Sequence, residues 1–576
     1  MSSSVSWTKV HASMKQVLSD FVPVIRSWTV TEYNQLLDPF ETHYSENYAP
    51  ANAAVILSAV YRNERQPELL EQCLAMVRRS VELLRDREGV SPFCRVFLYH
   101  YSLMALLQLP ESERQSCQLE FGNFYAEYAD DCMQVNTNCA ALQWGMELFT
   151  DSLGYRPADS AKLDNLLSMV ELAQLPSHFI NDELTHERTS LDGMPIAYHL
   201  FTVFILAGTL ITIERWKPEH NHFRERAETI IRRGMQWILR TLAADGTLAM
   251  TERSSYQMFT WGAGVALLGI TNLKESSIFG KSWDFWLKYK KEDGSYSCTP
   301  NYLPHGLRTG FESYTHVNMY NNLAMTGIAL ADVWLSRGGG GLTPELSCLE
   351  VPEEDQFLDA DSGYAFIKRR GQFMGCTLRM HNRKYVPAMQ GFHYRLDGVM
   401  LPLAEPRLLG YQAKDQRYLS DGLWEGLMLE DEQGQYVYPD TQQNVEAELL
   451  ENGIRLIWET ESLACEKELL MRDREFAWKY KLRLKRSFVS CQQMLPLLIH
   501  DGKNELRIQP VSDQQLSLSF GGQQSRLTCE GAVQIGISLT RSLMSVSGAA
   551  ALAYVTIPGP YTADSEIEWE TRLIAN

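Results

Sequence analysis

The sequence predicts an α+β multidomain chain: an N-terminal (α/α) toroid of helix pairs followed by a C-terminal antiparallel β-sandwich. Three features carry this. Apolar residues recur at helical spacing through the first three-fifths of the chain. Short alternating runs replace that pattern afterwards. Four consecutive glycines mark the change, at Ser336-Arg-Gly-Gly-Gly-Gly-Leu-Thr-Pro. Four glycines followed by Pro344 fit neither a helix nor a central strand. The expected limits are 1–337 for the toroid, 338–350 for a glycine-rich linker and 351–576 for the sandwich.

Helices are expected around Ala51–Tyr61, Leu69–Leu84, Val96–Leu109, Leu163–Leu175, Ala197–Ile213, Phe223–Leu242 and Val317–Leu335. Strands are expected around Gly363–Lys368, Phe373–Met380, Gly453–Glu459, Phe476–Leu484, Glu505–Pro510, Ser525–Cys529 and Ala553–Ile557, bounded by Asp-Gly, Glu-Asn-Gly and Gly-Gly turns. A faint repeat runs through the helical part. Asp192-Gly193, Asp245-Gly246 and Asp293-Gly294, spaced by 53 and 48 residues, each open a polar stretch leading into an apolar helix. A period near 50 suits one helix–turn–helix unit with its loops. Such units stack as an open solenoid or close into a ring, and the ring is the preferred reading because its inner-helix loops then meet at one rim.

Charge and composition narrow the function. With 53 Lys+Arg against 71 Asp+Glu the net charge is −18, which argues against nucleic acid or an anionic membrane as partner. The most apolar stretch, Ile196–Ile213, is interrupted by Tyr198, His199 and three threonines and reads as a buried helix rather than a span. The N-terminus shows no basic region followed by an apolar one, and the eleven cysteines are scattered without a CxxC pair, so reduced thiols in a cytoplasm are expected.

Four stretches gather polar and aromatic residues where inner helices should begin: Val135-Asn136-Thr137-Asn138 through Trp144; Thr185-His186-Glu187-Arg188 through Tyr198-His199; Thr251-Glu252-Arg253-Ser254-Ser255-Tyr256 through Trp261; and Arg308 through Tyr314-Thr-His316-Val-Asn318-Met-Tyr320-Asn321-Asn322. Each has a plainer reading. Asn136 and Asn138 also suit helix capping, His199 a satisfied core position, Glu252 with Arg253 a surface ion pair, and Tyr256 with Trp261 core packing. The Asn321-Asn322 pair reads as structural. Taken together, Asn, His, Arg and Tyr without a dominant carboxylate pair suit β-elimination on a uronic-acid sugar. Amide and guanidinium donors neutralise the substrate carboxylate, a Tyr or His removes the proton on the adjacent carbon, and a Tyr hydroxyl protonates the leaving oxygen. No metal and no organic cofactor is required. Trp144, Trp261 and Tyr302 would offer stacking faces.

An (α/α) toroid followed by an antiparallel sandwich resembles the polysaccharide lyases of the heparinase II/III and oligoalginate-lyase type. Those families place an Asn, often followed by His, at an inner-helix start, and Asn138 matches with Cys139 after it. They carry a catalytic Tyr after an Arg-Ser stretch, and Arg253-Ser-Ser-Tyr256 is similar. The resemblance implies Tyr256, His199, Asn138, Arg253 and His316 as catalytic residues, with His199 and His316 as alternative sources of the catalytic histidine. It implies Asn136, Trp144, Tyr198, Trp261, Tyr314 and Tyr320 as substrate contacts, and an acidic oligosaccharide as partner. The sandwich of such lyases leans over the cleft. In the basic stretch His381-Asn-Arg383-Lys384 and His393-Tyr-Arg395-Leu-Asp397, contact of His393 and Arg395 with an acidic sugar is preferred to a metal site. A glycoside hydrolase using two of Glu187, Asp192, Glu252 and Glu312, and a non-catalytic carbohydrate-binding protein, stay open as alternatives. The sugar, the linkage, endo or exo action and a homo-oligomeric state stay open too.

Overall fold

The computed structural model describes residues 7–30, 32–40, 46–128, 136–182, 196–248, 258–305, 316–338, 349–369, 371–378, 391–396, 399–400, 425–439, 445–531, 533–545 and 547–576; of 391–396, 399–400 and 539–545 it describes the backbone alone. The chain divides into two compact units: Met1–Leu239, Gln257–Cys298 and Thr315–Val351 form the first, and Arg240–Tyr256, Thr299–Tyr314 and Pro352–Asn576 the second. Two segments between helices, which the sequence assigns to the helical part, thus group with the β-rich unit.

The described helices alternate between two kinds. In chain order they are α1 (Trp7–Trp28), α2 (Ala49–Glu64), α3 (Pro67–Arg85), α4 (Pro92–Gln108), α5 (Glu111–Glu127), α6 (Thr137–Ser152), α7 (Ser160–Ala173), α8 (Ile196–Thr212), α9 (Asn221–Arg240), α10 (Met258–Ile270), α11 (Ser277–Leu287) and α12 (Val317–Ser336). Odd-numbered helices bury one stripe. In α3 it is Leu69, Cys73, Met76, Val77, Ser80, Val81 and Leu84, at three- and four-residue steps. Even-numbered helices are buried on nearly every side; all of α10 and all but Tyr198 of α8 are. A helix apolar all round is stable in water only when enclosed, since each buried Leu, Ile or Phe contributes roughly 1.5–3 kcal/mol. Enclosure comes from the even helices packing on one another in the closed order α2–α4–α6–α8–α10–α12–α2. Ser91 and Asn136 cap α4 and α6 by accepting from Cys94 N and Cys139 N, and Pro50, Pro67 and Pro92 sit in first turns where a missing N–H costs nothing.

The even helices run the same way round, because each odd helix returns the chain. Their starts gather at one rim. There Tyr48, the residue before α2, stacks on Phe97 of α4 at 4.3 Å and Phe97 on Phe201 of α8 at 5.9 Å, Phe201 meets Phe259 of α10 edge-to-face at 5.4 Å, and Phe259 meets Tyr320 of α12 at a tilt at 5.1 Å. The other rim collects C-terminal carbonyls, and arginines meet their partial negative charge. Arg62 donates to Gln108 O and Arg337 to Ile211 O, and both pair with Glu214.

Between α10 and α12 the backbones touch. A Cβ on Gly262 would lie 2.4 Å from Ala324 O, and one on Gly327 would lie 2.7 Å from Gly262 O. Alanine gains about 1 kcal/mol of helix propensity over glycine, but overpacking against a carbonyl that cannot rotate away costs about 1–3 kcal/mol or more. The clash wins. Gly262→Ala is expected to lower stability by about 1–2 kcal/mol in urea denaturation; an unchanged midpoint would mean that the two helices separate freely.

A second ring residue makes stability depend on pH. His100 of α4 is fully buried, donates from Nδ1 to Leu142 O at 2.9 Å, and leaves Nε2 without a hydrogen-bond partner among the described residues. Burial lowers its pKa to about 4 from an ordinary value of 6.5. The folded state therefore binds the proton less well than the unfolded state. The stabilisation is complete above pH 6.5 and is lost as pH falls toward 4. The contribution is about 3 kcal/mol. His100→Gln is expected to flatten the stability profile across that window relative to wild type, and parallel profiles would refute the assignment.

A short ribbon, β1 (Thr29–Val30) with β2 (Gln35–Leu36), follows α1 in the first unit. The second unit contains three antiparallel sheets. Five strands run in sequential order: β3 (Asp355–Asp359), β4 (Tyr364–Arg369), β5 (Gln372–Thr377), β6 (Gly391–Leu396) and β7 (Val399–Met400). Five more are ordered β18 (Gln534–Ser545), β19 (Gly548–Ile557), β14 (Ser490–His500), β8 (Gly426–Glu430) and β9 (Tyr436–Val437). Eight are ordered β10 (Glu446–Leu450), β11 (Gly453–Glu459), β12 (Leu463–Arg472), β13 (Glu475–Leu484), β20 (Glu566–Ala575), β17 (Gln523–Glu530), β16 (Gln515–Phe520) and β15 (Arg507–Ser512). One apolar core joins all three, with Ile367 and Met374, Leu427 and Leu495, and Leu456 and Trp478 among its members. The expected sandwich is thus present, its core shared by one eight-stranded and two five-stranded sheets. Arg240 grips Asp355 of β3 through Nε at 2.6 Å and Nη2 at 2.9 Å, with its guanidinium 3.9 Å from the Phe357 ring.

Candidate functional site at the N-terminal rim of the helical ring

Three tight hairpins, each preceding an inner helix in the chain, share one geometry. Isolated bridges join Gln174 to Ile180, Leu242 to Leu248 and Lys290 to Tyr296. In each, a residue at positive φ turns the chain: His178 (79°), Gly246 (83°) and Gly294 (87°). The sequence repeat at Asp245-Gly246 and Asp293-Gly294 is real in this sense. Asp192-Gly193 lies outside the described residues, and the third described hairpin carries Ser177-His178 in the place of Asp-Gly. The spacings of the bridges are therefore 68 and 48 residues.

Inner helices clamp two of these hairpins at the same position. Ile180 N donates to His199 Nδ1 at 2.9 Å, and Tyr296 N donates to Asn321 Oδ1 at 2.7 Å while Asn321 Nδ2 returns a bond to Tyr296 O at 3.0 Å. His199 Nε2 also sits 3.2 Å from Gly234 O on α9, and its ring stacks on Phe179 with the edge of Trp237 beside it. With both nitrogens on backbone groups and no exposed surface, His199 is an anchor facing an outer helix. This corrects its expected part in catalysis.

The aromatic expectations divide. Trp144 is fully buried in α6 and offers no face to a sugar. Trp261 stacks on Phe285 of α11 at 4.3 Å, turned to the outer layer. Tyr302 belongs to the second unit, where its N–H donates to Asp501 O and Lys503 Nζ lies 5.3 Å from its ring. Trp144 and Trp261 thus fill packing sites rather than binding faces, and Tyr302 is half-buried. Tyr320 does lie on the rim, in contact with Phe259, and Tyr198 is half-buried in the first turn of α8. His316 is half-buried at the residue before α12. Its neighbour Asn318 is buried and donates to Leu36 O, with its own N–H on Asp38 Oδ2. Tyr256, Arg253 and Tyr314 lie outside the described residues, as do Glu187, Asp192, Glu252 and Glu312. His393 and Arg395 lie on β6, with Arg395 opposite Phe373 of β5.

The start of α6 holds the densest polar group. Asn136 Oδ1 accepts from Cys139 N at 3.0 Å and caps the helix. Its Nδ2 reaches Asp182 Oδ2 at 3.3 Å, and Asn138 Nδ2 reaches Asp182 Oδ1 at 3.1 Å. Thr137 N donates to Asp182 O, and Thr137 Oγ1 to Asn181 O at 2.6 Å. Asn138 is 2% exposed and Asp182 7%. Each amide NH₂ spends one hydrogen on the carboxylate and keeps one. The residues not singled out in the sequence are Asp182, Tyr48, Phe97 and Phe201. Phe201 follows Tyr198-His199 closely, and Asp182 follows Asn181 just after the Gln174–Ile180 hairpin.

A closed ring of inner helices with an antiparallel sandwich is the architecture in which the sequence resembles polysaccharide lyases, and solved structures of that class are among those similar to this chain. One is the heparan sulfate lyase HepC of Pedobacter heparinus, in a mutant form, at 9% identity over 97% of this chain and 82% of that one, with a TM-score of 0.48. Another is the chondroitin AC lyase of Streptomyces coelicolor A3, in complex with chondroitin sulphate, at 10% identity over 98% and 79%, with a TM-score of 0.49. The cellobiose 2-epimerase of Spirochaeta thermophila is similar to 57% of this chain over 98% of its own, at 10% identity and a TM-score of 0.42. No protein-family model and no curated protein sequence matches the chain. At these scores the likenesses assign neither a substrate nor a catalytic residue to it.

Proposed function

We propose that the chain is a lyase that cleaves a uronic-acid-containing polysaccharide or oligosaccharide by β-elimination. The observation that carries this reading is the collection of amides and aromatics at the rim where α6, α10 and α12 begin. In sequence, Arg253-Ser-Ser-Tyr256 comes two residues before α10, whose Phe259 belongs to that aromatic group. Asn136, Asn138 and Arg253 supply the donors that neutralise the sugar carboxylate and so acidify the proton on the adjacent carbon. Tyr256, with His316, removes that proton and returns one to the departing glycosidic oxygen. Tyr198, Tyr314 and Tyr320 contact the sugar rings, and His393 and Arg395 the acidic groups.

The hydrolase reading needs one carboxyl that holds a proton. Three carboxylates described near the starts of inner helices do other work: Asp38 accepts from Phe40 N and Asn318 N, Glu46 accepts from Leu36 N and pairs with Arg79, and Asp182 accepts from two amides. The test is ultraviolet absorbance during incubation of the purified protein with a panel of uronic-acid oligosaccharides, without added metal. A rise is expected, from the conjugated double bond. New reducing ends without a rise would transfer the reaction to Glu187, Asp192, Glu252 and Glu312. Binding without turnover would leave a carbohydrate-binding protein.

A further inference from the structure

We propose that Asp182 is the positioning residue of this site, holding the amides of Asn136 and Asn138 in the orientation that meets the substrate carboxylate; the inference rests on the lyase reading. An amide side chain fits its space nearly as well when turned over, so something must choose. For Asn136 two contacts choose, Cys139 N on Oδ1 and Asp182 on Nδ2. For Asn138 the choice falls to Asp182, because Oδ1 is buried without a hydrogen-bond partner among the described residues. Turned over, Asn138 would point its carbonyl oxygen at a carboxylate, which repels it. The carboxylate also makes these charge-assisted bonds, which are stronger than neutral ones. Its place beside the first turn of α6 suits a negative charge.

The carboxylate is itself held from two sides. Thr137 fixes Asn181 and Asp182 to α6 through their carbonyls, and His199 fixes the preceding hairpin to α8 through Ile180. His199 thus acts on the site through the segment that carries Asp182. A consequence separates this role from simple stabilisation. Asp182 is a negative charge set beside the groups that receive another one. Removing the charge relieves repulsion of the substrate while releasing the amides.

The experiment compares wild type with Asp182→Asn and Asp182→Glu, measuring kcat and KM by absorbance and folding by thermal unfolding. Asp182→Asn is expected to lower kcat by roughly 10- to 100-fold, as the loss of an aligned donor does, with KM unchanged or lower. Asp182→Glu keeps the charge but shifts the oxygens by one methylene, and is expected to lower kcat without lowering KM. It keeps the test decisive if Asp182→Asn does not fold. Wild-type kcat and KM in a folded variant would overturn the inference while leaving the lyase reading intact. No elimination by wild type on any substrate would overturn the lyase reading, and this inference with it.

Discussion

Replacing Tyr256 with Phe is expected to slow elimination by roughly 10²–10⁴-fold, the range a positioned acid–base group contributes. The substitution keeps the aromatic ring and removes only the hydroxyl. KM should therefore stay within a few-fold of wild type, and thermal unfolding should shift little. The contrast is Glu252→Gln. Glu252 stands four residues earlier in the same stretch, next to Arg253. Its replacement should leave the rate within a few-fold. Equal loss in both variants would give the chemistry to the carboxylate and return the hydrolase reading. Loss in Tyr256→Phe alone, read as absorbance on a uronic-acid oligosaccharide, would establish the hydroxyl as the proton carrier.

The fold was legible wherever burial imposes a period. Helices enclosed on nearly every side, such as α8 and α12, show as long apolar runs, and β11, β13 and β17 of the eight-stranded sheet show as alternation. Helix α5 was less legible, because it buries only Cys117, Phe121, Gly122 and Tyr125 and otherwise meets water. The repeat was legible where a turn uses Asp-Gly and hidden where it uses Ser177-His178, since His178 reaches positive φ (79°) without a glycine to announce it. The site was harder to read for a physical reason. Whether a polar residue serves a substrate or the fold depends on which face of its helix it occupies. Trp261 faces the outer layer whereas Phe259, two residues earlier in α10, faces the aromatic group of the rim, and the fourth residues of α8 and α12, His199 and Tyr320, face opposite ways. Near a helix start that distinction turns on one or two positions. Asn136 shows that capping and function are not alternatives: its Oδ1 caps α6 while its Nδ2 joins the Asp182 cluster.

Replacing Lys467 with Met is expected to destabilise the second unit by about 3–5 kcal/mol, the usual cost of stripping one partner from a buried ion pair. Strand β12 alternates cleanly, and Leu463, Cys465, Leu469 and Met471 take its inward positions. Lys467 takes one too and is fully buried. Its Nζ lies 2.6 Å from Glu425 Oε1, which also accepts from the Tyr480 hydroxyl at 3.2 Å, and Tyr480 stands directly opposite Lys467 in the sheet. A cation at the inward phase of an apolar strand is thus a sequence-level sign of a buried partner, although the alternation cannot say which residue it is. The loss should come almost wholly from the abandoned charge. Met fills most of the lysine stem's volume, and the buried carboxylate is left without its cation. The double variant Lys467→Met with Glu425→Gln should therefore recover most of the stability, because a buried pair gains little over a packed apolar pair once its desolvation is counted. A denaturant cycle over the four proteins measures this. A single-variant cost below about 1 kcal/mol, the range of exposed pairs, would mean that water reaches Glu425.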